Sequence, residues 1–191
     1  MNRNRCPWCL GNRLYMDYHD REWGVPVFDD QKQFEFLVLE SAQAGLSWLT
    51  ILKRREGYRK QYAKFKATEV ACFDEKKILN MLDDPGIIRN RKKIESSIHN
   101  AKCFLRIQEQ VGSFSNYLWD FVDGRPIVNS FNNMEDIPPH TALSDKISKE
   151  LKKKGFQFIG STIVYAHLQA TGLVNDHLTS CFRYHECKLE V

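Results

Sequence analysis

The sequence predicts an all-α fold, on three observations. Apolar residues recur at helical spacing in segment after segment, glycines and prolines break these segments at short intervals, and few stretches alternate apolar with polar residues as a half-buried strand does. A length of 191 residues suits one domain spanning 1–191 with a core large enough to need no disulfides. Hydrophobic content of 42% excludes a disordered chain. No stretch of about 20 uncharged apolar residues occurs, so no membrane span is expected. The start, Met-Asn-Arg-Asn-Arg-Cys, has no apolar leader segment. Both points lead to a cytoplasmic protein whose six cysteines stay reduced, as core fillers or metal ligands.

Asp29 or Asp30 caps a helix running to about Ala44, with Phe34, Leu37, Val38 and Ser41 on one face. Gly45 ends it in the left-handed conformation, and Ser47 caps a following helix that turns Trp48, Ile51 and Leu52 inward. Further helices are read at Asp74 to Leu82, Arg91 to Gln110 and Ser113 to Val122. Asp123 to Pro126 is a turn, followed by an extended piece at Ile127-Val128. Pro138-Pro139 precedes a helix from Ser144 to Lys154. Gly155 to Gly160 forms a bend, and a helix from Ser161 to about Thr171 is stopped by Gly172. Asn175-Asp176 is read as the start of the last helix.

Ligand-type residues gather at the two ends. Cys6, Cys9 and His19 lie early; His177, Cys181, His185 and Cys187 lie late. Four-residue spacing would put His177 and Cys181 on one helix face, a chelating pair suited to zinc. Cys6 and His19 complete a tetrahedral set, but Cys9 and Cys187 compete, and spacing alone does not choose among seven candidates for four places. A closed set of two cysteines and two histidines implies a structural ion.

Glu40 is the strongest candidate for chemistry, being an acid in an apolar helix. Glu35 is the other acid of that run, and five helical residues rotate about 140° beyond a full turn. The two therefore point apart, and with Glu35 solvated Glu40 faces the interior, where it needs donors or a cation. The plain alternative is a structural ion pair with a nearby Arg or Lys. Trp8, Tyr15, Tyr18, Trp23 and Trp48 crowd the same part of the sequence, and flat rings beside a carboxylate suit a flat cationic guest. Leu46, at the tip of a short turn, could wedge into a base stack or simply pack on its neighbours. Lys152 to Gly160 joins three lysines and two glycines to a helix start, a pattern that suits a phosphate backbone. The formal charge of +4 permits a nucleic-acid partner without requiring one, and the other basic blocks, Lys53 to Arg55 and Arg89 to Lys93, also read as solvated surface.

Several strings recur together: Cys6-Pro7-Trp8, Tyr18-His19-Asp20, Glu22-Trp23-Gly24-Val25-Pro26, and Leu39-Glu40 followed by Gln43 to Trp48. Later come Gly86-Ile87-Ile88-Arg89, Gly155-Phe156, Gly160 with Thr162-Ile163, and Gly172 to His177. With these the chain resembles the bacterial 3-methyladenine DNA glycosylase I family of the helix-hairpin-helix superfamily, from Cys6 to Cys181. The resemblance implies a helix-hairpin-helix region at about 144–171 and one structural zinc held by Cys6, His19, His177 and Cys181, joining the terminal segments. It implies that Glu40 contacts the methylated base, that Tyr15, Tyr18 and Trp48 line the pocket, that Leu46 faces the DNA stack and that Gly155 to Gly160 hold phosphates. The superfamily aspartate before the final histidine segment is Asn175 here, a substitution the family shares, which shifts attention to Glu40.

The implied activity is hydrolysis of the N-glycosidic bond of 3-methyladenine in alkylated double-stranded DNA, with the base flipped from the helix, by a monomer. A strand-cleaving relative would carry a lysine just after the hairpin. Ser161 and Thr162 stand there, so no lyase step is expected. Two rivals are a zinc-stabilised DNA-binding module without catalysis and a zinc hydrolase of small substrates, which requires an open metal position.

Overall fold

The computed structural model describes residues 3–189. Its helices in chain order are α1 (Arg13–Arg21), α2 (Asp30–Gln43), α3 (Trp48–Leu52), α4 (Arg55–Gln61), α5 (Ala67–Val70), α6 (Glu75–Asp83), α7 (Arg91–Val111), α8 (Phe114–Trp119), α9 (Ala142–Lys153), α10 (Ser161–Ala170) and α11 (Phe182–Leu189). The remaining regular structure includes two short strands, β1 (Ile127–Val128) and β2 (Val174–Asn175), paired in parallel with Ile127 opposite Val174. Among the described residues no helix is long and apolar enough to cross a membrane.

Side-chain caps start most of these helices, each satisfying an N–H that the helix leaves free. Asn12 accepts from Leu14 and Tyr15, Asp29 from Lys32, Ser47 from Thr50, Asp74 from Lys77, Asn90 from Lys93, Ser113 from Asn116 and Thr141 from Ser144. Asp30, one residue past its own cap, reaches across to α8 and accepts from Phe114 N and Ser115 N at 3.0 and 2.7 Å. Burial opposes ionisation of Asp30, but the hydrogen bonds from Ser115, Gln108 and Phe114 prevail and hold it below the usual carboxylate range.

Helix α2 is the axis of the molecule. Residues Gln33 through Ala42 are all buried, so α2 has no solvent face and little amphipathic character. Phe34, Leu37 and Val38 enter the main core with Phe104, Phe114 and Ile147. Phe36 looks the other way, into a second cluster with Tyr18, Trp23, Leu52, Leu178 and Cys181. Trp48 packs against both.

One sequence expectation holds here and another changes. The extended piece at Ile127-Val128 has a partner in Val174–Asn175, and this strand replaces the start of the expected last helix. Asn175 spends its carbonyl on Asn129 N and its side chain on His177 N, closing a local turn, while Asp176 is consumed by side-chain donors. The final helix starts only at Phe182, and Cys181 N closes a turn onto Leu178 O at 2.8 Å. His177 and Cys181 therefore do not share a helix face.

Candidate active site and metal centre

The four end residues meet nonetheless. Cys6, His19, His177 and Cys181 are buried, and their ligand atoms all lie within 4.8 Å of one another. Cys6 Sγ is 3.7 Å from His177 Nδ1, and Cys181 Sγ is 3.6 Å from the same nitrogen and 3.4 Å from His19 Nε2. The outward nitrogens are anchored. His177 Nε2 lies 2.9 Å from Trp23 O, and His19 Nδ1 lies 2.9 Å from Asp20 Oδ1, whose carboxylate is gripped by Arg5 at 2.8 Å. Such anchoring turns the inner nitrogens into acceptors aimed at one point. The hydrogen bond from Cys6 pulls the Cys181 thiol below its ordinary range and keeps Cys6 above. The cluster could hold one metal ion, with Cys9 and Cys187 outside it.

Beside the cluster opens a cleft of about 360 Å³, walled by Trp8, Tyr15, Tyr18, Trp23 and Trp48 and floored by Glu40. Trp8 meets Tyr15 and Trp23 edge to face at 5.4 and 5.2 Å, and Tyr18 lies tilted against Trp48 at 5.5 Å. Tyr15 Oη accepts from Leu49 N at 3.0 Å, which pins α1 to the first turn of α3 and so places Trp48. Among the described residues the buried Trp48 indole N–H makes no hydrogen bond of ordinary geometry, only a weaker contact with the Tyr18 hydroxyl. A buried donor and a buried acid on one cleft are unmet demands that a guest can meet.

Glu40 and Glu35 separate sharply, though not for the expected reason. Glu35 is not solvated; it is 3% exposed, and Glu40 is 4% exposed. Because α2 is buried all round, turning 140° leads to another interior surface rather than to water. Glu35 finds Arg55, Lys32 and Arg59 there at 2.8, 3.1 and 3.2 Å, and Arg55 also pairs with Glu22 at 2.7 Å. Burial opposes ionisation of Glu35, but the Arg55 hydrogen bond wins and lowers its pKa. Of the basic block Lys53 to Arg55, Arg55 is thus spent inside and Arg54 donates to Thr50 O. Two other buried polar groups of α2 are paired as well. Gln33 donates to Val27 O and faces His167 Nε2, and Ser41 donates to Phe158 O. Among the described residues Glu40 has no hydrogen bond and no ion pair, and burial pushes its pKa up to about 8. Burial, then the nearby Glu40, also pushes up the Tyr18 hydroxyl.

The cleft has a wall that sequence reading did not assign. Thr162, Tyr165, Ala166 and Gln169 line it from α10, and Gln43, Ile137 and Pro138 add to it. Spacing at i, i+3, i+4 and i+7 from Thr162 was the available signal. Tyr165 Oη and Gln169 Nε2 are fixed by the buried Asp176 at 2.5 and 2.7 Å. Leu46 sits 39% exposed on the turn after α2, where Gly45 takes φ +78°. Gly155 takes φ +95° in the turn leaving α9, and Gly160 precedes the first residue of α10.

A ring-walled cleft around one unpaired acid has the shape and charge to take a flat cationic guest. A sequence model of the methyladenine glycosylase family matches residues 8–184. DNA-3-methyladenine glycosylase 1 of Escherichia coli (strain K12) is 45% identical over 180 residues, covering 94% of this chain and 96% of that protein. A crystal structure of a 3-methyladenine DNA glycosylase I superposes with a TM-score of 0.91 at 46% identity, covering 94% of this chain and 98% of that one. The Staphylococcus aureus enzyme, solved for its recognition of 3-methyladenine, superposes with a TM-score of 0.91 at 37% identity, covering 94% and 95% of the two chains. The chain belongs to the methyladenine glycosylase family.

Proposed function

We propose that this protein is a DNA-3-methyladenine glycosylase, one domain over 1–191, that hydrolyses the bond between 3-methyladenine and deoxyribose in alkylated duplex DNA. The single observation that carries the reading is Glu40, the one acid of α2 left unpaired, at the floor of an aromatic cleft. A methyl group on ring nitrogen 3 makes the base a cation while it is attached to the sugar. Glu40 accepts hydrogen bonds from the flipped base and favours the cation over undamaged adenine, which offers no charge to offset the buried carboxylate. Tyr18 and Trp48 enclose the ring, and Tyr15 keeps Trp48 in place. As the bond to the sugar carbon breaks, its electron pair returns to the base, which departs neutral. Water adds to the sugar carbon and loses a proton, leaving an abasic site. Because the base is already a good leaving group, the residues here act by selection, extraction and desolvation.

Base flipping costs a few kcal/mol, less for a damaged pair. Leu46, on its exposed turn, fills the vacated stack. α9, the Gly155 to Gly160 bend and α10 serve as the helix-hairpin-helix grip on phosphates, with Lys152 and Lys153 exposed beside it. The buried cluster holds zinc. Zinc bound to nitrogen at about 2.0–2.1 Å and sulfur at about 2.3 Å sets tetrahedral N···S edges near 3.6 Å; three of these edges measure 3.4, 3.6 and 3.7 Å, and all four ligand atoms lie within 4.8 Å of one another. With four protein ligands no position is left for water, so the ion is structural and the reading as a zinc hydrolase loses its basis. A DNA-binding module without catalysis would leave the cleft and Glu40 without a role.

The test is base release from methylating-agent-treated duplex DNA, with the products separated by chromatography. Free 3-methyladenine and a matching number of abasic sites are expected. Absence of any released base would falsify the assignment.

A further inference from the structure

The turn that carries Leu46 needs a fixed position relative to Glu40 and to the α9–α10 bend, and the structure places one cation where it can supply this. α2 ends with carbonyl groups that have no continuing helix to accept from. Leu46 N takes Gln43 O at 2.6 Å. The carbonyls on either side, Ala42 O and Ala44 O, both receive the ammonium of Lys93 from the first turn of α7, at 2.8 and 2.7 Å. Among the described residues no carboxylate pairs with Lys93, so its charge is spent on these two oxygens and on the negative end of α2.

The same helix holds the bend. Asn100 donates to Gln157 O and accepts from Gln157 N, both at 2.8 Å, and His99 Nε2 lies 2.9 Å from Gly155 O. Seven residues separate Lys93 from Asn100, which is close to two helical turns, so the two side chains leave α7 in nearly the same direction about 10 Å apart. α7 thereby acts as a ruler between the two elements assigned to DNA.

We propose that Lys93 is a positioning residue for base extraction, holding the Gly45-Leu46 turn in register with Glu40 and with the bend that α7 fixes through Asn100. This rests on the reading of the protein as a glycosylase that uses Leu46 as a wedge. A wedge matters only where a base must leave a duplex, and this separates a positioning role from a general structural one. Loss of general structure lowers release from every substrate. Loss of register lowers release from duplex DNA and spares DNA that is already single-stranded.

The experiment compares single-turnover release of 3-methyladenine from alkylated duplex and alkylated single-stranded DNA, with each DNA saturating. Lys93→Met is expected to slow the duplex reaction about ten- to a hundredfold, the range for losing a charged hydrogen-bond donor, and to change the single-strand reaction less than about threefold. Lys93→Arg, which keeps a cationic donor, is expected to recover most of the duplex rate, and it provides a folded variant should Lys93→Met lose thermal stability. Lys93→Met made in a Leu46→Ala background should cost much less than in the wild type, because both changes act through one turn. Equal losses on both DNA forms, or losses that multiply in the double variant, overturn the proposal. A duplex loss that disappears at saturating DNA also overturns it, since this identifies Lys93 as a phosphate contact. A Leu46→Ala protein with the wild-type duplex rate removes the wedge and this proposal together while leaving the glycosylase reading intact. No release by the wild-type protein removes that reading itself.

Discussion

Protonation of Glu40 should set the pH dependence of the enzyme. Burial without any partner pushes this carboxyl up to about 8 in the free protein. At pH 7 about one free molecule in eleven then carries the carboxylate, and at pH 6 about one in a hundred. The cationic lesion is bound by the ionised form, so kcat/KM, which reports on free enzyme, rises about fiftyfold between pH 6 and pH 8 and levels above pH 8. Glu40→Gln flattens this limb and lowers the plateau. Stability moves the other way. The folded pKa stands above the ordinary value of 4.5, so the folded state holds the proton longer than the unfolded chain does. The stabilising contribution is complete below pH 4.5 and is lost as pH rises from 4.5 to 8, by about 3 kcal/mol at pH 7. Glu40→Gln should therefore stabilise the fold, and so raise the melting temperature, by up to about 3 kcal/mol at pH 7 and about 4 kcal/mol at pH 8, less the cost of its own unpaired amide, while impairing release. The assay is initial-rate release of 3-methyladenine from alkylated duplex at constant ionic strength from pH 6 to 9, alongside thermal melts at the same pH values. A flat wild-type profile, or the same slope in the Gln variant, refutes the reasoning.

Three further outcomes follow from the same geometry. Chelation should remove about one zinc per chain, lower the melting temperature and loosen residues 4–24 against 175–187 in hydrogen exchange; full stability and turnover without metal would refute a structural ion. Arg55→Met leaves Glu35 short of its main partner and should destabilise the fold by roughly 2–4 kcal/mol in a denaturant titration, with preference for 3-methyladenine retained; an unchanged midpoint would refute the ion network. Borohydride added during turnover should trap no covalent protein–DNA adduct, because among the described residues no lysine lines the cleft and Ser161 and Thr162 follow the bend; a trapped adduct would overturn the hydrolytic reading.

The sequence made α2, α3, α7 and the α9–α10 pair legible because the first four of these helices start with a polar cap, α10 is bounded by Gly160 and Gly172, and these local signals survive in the fold. It also brought Cys6, His19, His177 and Cys181 together through the family strings, though the pairing of His177 with Cys181 comes from a turn rather than a helix. Local reading failed where a distant partner decides the outcome. Asn175-Asp176 looks like a helix start, but β1 takes the backbone of Asn175, and Tyr165, Gln169 and Asn129 take the side chain of Asp176. Glu35 looks solvated until Arg55, twenty residues on, arrives beside it. The α10 wall of the cleft shows a regular helical spacing, but nothing in that spacing says which face is occupied by core and which by a guest.

The joining of residues 6 and 19 to residues 177 and 181 has a consequence for how the molecule comes into being. Tyr15, Tyr18 and Trp23 leave the ribosome early, yet the side chains that lock their segment emerge some 160 residues later. At roughly 5–20 residues per second that is a delay of about ten to thirty seconds. Throughout that interval the segment carrying Tyr15, Tyr18 and Trp23 lacks the contacts that His177 and Cys181 supply. The cleft's first wall is thus held by the last part of the chain to be made.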